Sequence, residues 1–159
     1  MDTQMDHRQF SAELRKIINS EFNYENYQMM WNELKAKYMI SKNTPHLNIM
    51  YEIINENFDN KNIKILDHGS GGCRTIFHLI LNGYKNIYGV DVKRKGEINH
   101  IYKKLNLLYK VALNEKEDSE DRLILYDGIN LPFKDNFFDF IFSQQVLEHL
   151  DDNTFKKYL

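Results

Sequence analysis

The sequence predicts an α/β fold, a parallel sheet with helices on both faces, preceded by a segment built of helices alone. Three observations predict it. Up to about residue 60, apolar side chains recur only at helical spacing. From residue 62 onward, short apolar runs alternate with helical stretches, the pattern of strand–helix–strand units. Three of those short runs lead into an aspartate, Asp67, Asp91 and Asp127, and the fourth into Ser143.

The elements follow in order. Phe10, Leu14, Ile17 and Ile18 share one helical face, and Tyr27, Met30, Trp31, Leu34 and Tyr38 repeat the spacing more clearly. Thr44 and Pro45 suit the N-cap and first position of a third helix carrying Leu47, Met50, Tyr51, Ile54 and Phe58. The aromatic stripe Tyr24, Tyr27, Trp31 and Tyr38 admits two readings, pocket lining or core. Its spacing alone already accounts for the core.

A first strand, Ile63–Leu66, runs into the segment DHGSGG. The helix with Ile76, Leu79 and Ile80 stops at Gly83, a natural C-cap. A second strand, Asn86–Val90, reaches Asp91, and Ile98, Ile101, Tyr102, Leu105, Leu108 and Ala112 give the next helix. The polar run Asn114–Asp121, with five acids, reads as a solvated turn. Leu123–Tyr126 and Phe138–Phe142 complete the strands. The chain thus divides into a helical segment, residues 1–60, acting as a cap or lid, and a sheet domain, residues 61–159.

Composition narrows the function. With 42% apolar and 28% charged residues among 159, the chain has the makings of a packed core. Twenty-one basic against 23 acidic side chains give a charge of −2, unlike a domain that grips phosphate backbones, so no nucleic-acid partner is expected. A single cysteine forms no internal disulfide, and the start MDTQMDHRQF lacks the pattern of a secretory signal. No apolar run approaches the roughly 18 residues of a membrane span, so the expected location is the cytoplasm. The six histidines have no ligand-like spacing, and no metal site is expected.

In an open parallel sheet, ligands bind beyond the carboxyl ends of the strands. Gly69, Gly71 and Gly72 make a turn there that lets backbone approach a ligand closely. Asp91, at the second strand's tip, is placed to accept hydrogen bonds from vicinal ribose hydroxyls. An adenosine-containing ligand fits both. The dinucleotide fingerprint GxGxxG fails, because Arg74 stands at its sixth position. Asp67, two residues before the first glycine, also suits a cationic ligand better than a pyrophosphate.

The segments ILDHGSGG, YGVDV and LILYDGINLPFKDNFFDFIFSQQVLEHL resemble the motifs of class I S-adenosylmethionine-dependent methyltransferases, small bacterial ones in particular. The resemblance runs from about Ile63 to Leu150 and implies a Rossmann-like sheet whose order begins 3-2-1-4. It implies that Asp67 faces the methionine amino group and that the backbone of Gly69, Ser70 and Gly71 passes under the methionine and ribose. Asp91 would hold the ribose, Val92 would pack on adenine, Asp127 would accept from the adenine amino group beside Gly128, and the Ser143 backbone would meet the methionine end. The implied cofactor is S-adenosylmethionine, and the implied reaction is methyl transfer to a small-molecule acceptor. His149 is a weak candidate for a catalytic base, and Cys73 has no activating neighbour in sequence.

Two departures from the family pattern stand out. Cys73 occupies the place of a third glycine, with Gly72 one position early. The sequence also supplies only about four strands, and Asp151 or Asp152 caps a helix, with Phe155, Tyr158 and Leu159, that stops within about two turns. This leads to the expectation of a carboxy-terminally truncated enzyme, with turnover in question. The fourth strand then becomes an apolar edge, through which a non-catalytic remnant or a homodimer would associate. A nicotinamide-dependent dehydrogenase is a weaker alternative.

Overall fold

The computed structural model describes residues 5–40, 49–93 and 98–144. Helices α1 (His7–Ile18), α2 (Tyr24–Ile40) and α3 (Ile49–Asn57) come first. They are followed by β1 (Lys64–His68), α4 (Arg74–Leu81), β2 (Asn86–Val92), α5 (Ile98–Ala112), β3 (Leu123–Tyr126) and β4 (Phe140–Phe142). The four strands are all parallel, in the order β3-β2-β1-β4. This is the expected Rossmann-like α/β architecture. The expected cap of the third helix at Thr44 and Pro45, with Leu47, and the helix expected from Asp151 or Asp152 lie outside the described residues.

Local chemistry sets the boundaries. Asp6 caps α1 by accepting from the Gln9 N–H, while Gln9 accepts from the Asp6 N–H, a reciprocal capping box. Gly83, at φ +96°, ends α4 as expected, with the Tyr84 N–H turned back to the Leu79 carbonyl. β1 and β2 run past their predicted ends, through His68 and Val92, because each gains a parallel neighbour there. β4 begins two residues later than expected. Phe138 turns away to pack on Phe133, and Asp139 docks on β1, donating to the Lys64 carbonyl and accepting from the Lys64 N–H, each at 2.8 Å.

Alternation along the strands separates two faces. One face, with Ile65, Ile87, Leu123, Phe140 and Phe142, joins a core to which all five helices contribute. Tyr27 and Trp31 are buried in it, so the aromatic stripe of α2 is core, as its spacing suggested. α2 also reaches α4 through Tyr38, whose hydroxyl lies 3.2 Å from His78 Nδ1. The other face, with Leu66, Tyr88, Val90, Ile124 and Tyr126, carries no helix among the described residues. Among the described residues the connection from β3 to β4 lies on that face, packing Phe133, Phe137 and Phe138 around Tyr88. Nor is the run after α5 merely solvated: Asp121 pairs with Lys110 at 2.7 Å and Glu115 with Arg122 at 2.8 Å.

The helical face leaves no room at one point on β2. A Cβ on Gly89 would lie 2.7 Å from Ile76 Cδ1 on α4 and 2.9 Å from Ser70 Oγ. Gly89→Ala is expected to cost about 2 kcal/mol by overpacking, read as a lower urea midpoint at unchanged slope.

Candidate functional site

The glycine turn is built by handedness. Gly69, Gly71 and Cys73 all have positive φ, +81°, +50° and +61°, so left-handed residues alternate through the turn. Cys73 therefore holds a left-handed conformation of the kind glycine adopts most easily, and its neighbour Gly72 does not. For a side chain with a Cβ this conformation is strained, by about 1 kcal/mol. The surroundings hold the turn in shape. The N–H groups of Gly69 and Ser70 both donate to the Val90 carbonyl, at 2.8 and 2.9 Å.

Tyr102 on α5 completes the fastening, and sequence reasoning counted it only as a helix-face residue. Its hydroxyl donates to the Gly71 carbonyl at 3.0 Å and lies 3.0 Å from Ser70 Oγ. A hydroxyl-bearing ring on an otherwise aliphatic stripe was the available signal. Burial pushes the Tyr102 phenol above its ordinary range, so it acts as a neutral donor.

The sheet register brings Asp67 and Asp91 onto the same face, with Gly89 beside Asp67 on β2. Asp91 is committed to the turn. Its Oδ2 accepts from the Gly71 N–H at 2.8 Å and its Oδ1 from the Val92 N–H at 2.7 Å. Asp67 is only 4% exposed, and no described residue donates a hydrogen bond to it. Burial first, and the Asp91 charge second, push its carboxyl up to about 7. A buried acid without a donor is costly, and such groups gather where a ligand supplies the missing partner.

Asp127 is arranged differently. It is exposed beyond the end of β3, and its Oδ1 accepts from the N–H groups of Ile129 and Asn130, at 2.8 and 2.7 Å. These bonds and one from the Asn130 side chain hold its carboxyl below the usual range. It shapes its own loop, in which Gly128 at φ +83° packs beneath Val92. Val92 and Ile129 remain exposed there, an apolar rim beside two acids. Ser143 is exposed just past β4, and the next residue, Gln144, accepts from Thr75 Oγ1 on α4. His149 lies outside the described residues.

Two further side chains lie near the strand tips. His68 places Nε2 2.8 Å from the Tyr126 hydroxyl on the face opposite Asp67. Cys73 is fully enclosed, and burial with the nearby Asp67 charge raises its thiol far above the reactive range. Among the described residues, no His, Cys, Asp and Glu side chains form a metal-holding group, and no helix is long and apolar enough to cross a membrane.

Two expectations follow. Asp67 holds its proton more tightly folded than unfolded, so stability falls as pH rises from 3.8 to about 7. Asp67→Asn removes that loss and is expected to be more stable than the parent above pH ~7, by at least about 1 kcal/mol, with little difference near pH ~4 in thermal melts. Cys73 is expected to resist a thiol reagent such as dithionitrobenzoate in the folded protein and to react on unfolding; rapid native-state labelling would contradict its burial.

A family model described as a methyltransferase domain matches residues 66–157, from β1 through all the strand tips just described. No curated protein and no solved structure matches the chain.

Proposed function

The chain belongs to the methyltransferase-domain family, of class I type in its sheet order, and from that premise we propose that it binds S-adenosylmethionine at the strand tips and transfers the methyl group to a small-molecule acceptor. The observation that carries the reading is the buried Asp67 carboxylate, which lacks a donor among the described residues. An ammonium group would supply both the hydrogen bonds and the opposite charge.

The neighbouring groups fit the remainder of the cofactor. Each Asp91 oxygen accepts one backbone bond, which leaves lone pairs for two adjacent ribose hydroxyls. Gly71 and Gly72 have no heavy atom within 4 Å of where a Cβ would stand, so the backbone of Gly69, Ser70 and Gly71 can pass close under the nucleoside. The exposed side of Val92, with the Gly128 backbone behind it, offers an apolar surface to adenine. Asp127 Oδ2 accepts only from Asn130 Nδ2, and keeps a lone pair for the adenine amino group. The Ser143 backbone completes the methionine end.

When bound, S-adenosylmethionine supplies a sulfonium whose methyl group passes in line to a nucleophile. The chain's own contribution is positional: the glycine turn, held by Val90, Asp91 and Tyr102, fixes the donor's approach before reaction. Asp67 must be ionised to hold an ammonium, so its elevated pKa ties binding to pH.

Calorimetric titration with S-adenosylhomocysteine tests the proposal. Affinity is expected to fall as pH drops through about 7, and Asp67→Asn to weaken binding by about tenfold or more at pH ~8. No heat and no thermal shift at roughly millimolar ligand would overturn the assignment.

A further inference from the structure

A cavity lies between α1, α5 and the start of α4, with a volume of about 380 Å³. That is within the usual range for small-molecule sites, about 300–1,000 Å³. Only Gly72 of the glycine turn borders it; Asp67, Gly69, Asp91 and Asp127 do not. Its walls are largely aliphatic, with Leu14 and Ile18 from α1 and Ile101 and Leu105 from α5, and Ser11 and Asn19 add polar edges. Arg15 and Arg74 also line it, and both are exposed.

Neither arginine has an acidic partner among the described residues. Glu13, the acid carried by the same helix, is engaged by Lys16 and Lys37. Two guanidinium groups from different elements therefore border one largely apolar cavity without a carboxylate paired to either among the described residues. A guanidinium recognises carboxylate or sulfonate through paired N–H bonds, and the aliphatic walls favour a water-averse body. Nucleic acid fits poorly, because the site is concave and offers no run of basic residues.

We propose that this cavity is a binding site for a small amphipathic anion, an aliphatic or aromatic monocarboxylate. The hydrocarbon part packs on Leu14, Ile18, Ile101 and Leu105, and the acidic head sits with Arg15 and Arg74. The assignment goes beyond methyl transfer and stands without it.

Fluorescence titration with two probes of like ring size tests it: anionic anilinonaphthalene sulfonate and its uncharged relative N-phenylnaphthylamine. One equivalent of the anion should bind, and dodecanoate should displace it. The double variant R15Q/R74Q should weaken the anion by about tenfold and the neutral probe by less than about twofold, with an unchanged thermal melt. Equal weakening of both probes, or of neither, would overturn the proposal. So would displacement of the anion by saturating S-adenosylhomocysteine, which would put the probe in the strand-tip cleft. A protein that binds the probe but no S-adenosylhomocysteine would retain this site and lose only the methyl-transfer reading.

Discussion

At the tip of β1 the Asp67 carboxylate is sheltered from water, faces another acid and receives no hydrogen bond from a described residue. The sheet can hold it there only because the surrounding turn is braced from three directions. β2 supplies the Val90 carbonyl and the Asp91 carboxylate, and α5 supplies the Tyr102 hydroxyl. Each bond satisfies a polar group that would otherwise be costly to bury. The buried acid and the turn around it belong together: the same bonds hold the turn in a conformation, with Cys73 left-handed, that an unbraced chain would relax.

The same bracing explains how Cys73 is held in a left-handed conformation that favours glycine. Its backbone is strained, yet the side chain is enclosed and its N–H is bonded to the Ser70 carbonyl at 2.8 Å. A turn defined by alternating handedness can accept one imperfect residue when the neighbouring bonds overdetermine its path. This corrects any simple count of glycines, because Gly72 lies next to the critical position without serving it.

Much of this was legible from residue order. Strand-to-aspartate transitions, the Gly83 stop and the helical stripes all follow from periodicity and from residues with narrow conformational preferences. The site was legible in part. Asp67 and Asp91 were found because strands alternate and both fall at strand ends, but their unequal states depend on three-dimensional hydrogen bonding. Asp91 is spoken for, Asp67 is not, and Asp127 turns to its own loop. Tyr102 was missed as a brace because its helix spacing is that of an ordinary core residue. The aromatic cover on the second sheet face was missed for a different reason. Phe137 and Phe138 continue the apolar run of β4, and only packing decides where a strand begins.

β1 is an inner strand of this sheet, and its two partners are synthesised at very different times. Its partner on one side, β2, follows within about two dozen residues, whereas Asp139 reaches Lys64 across 75. Such a distant pairing carries a larger loop-closure entropy and slows the search for the native arrangement. During translation the growing chain therefore exposes one flank of its central strand until Phe140–Phe142 has left the ribosome. In that interval it is open to mispairing, and the lysine that begins β1 offers a charged gatekeeper at the exposed flank.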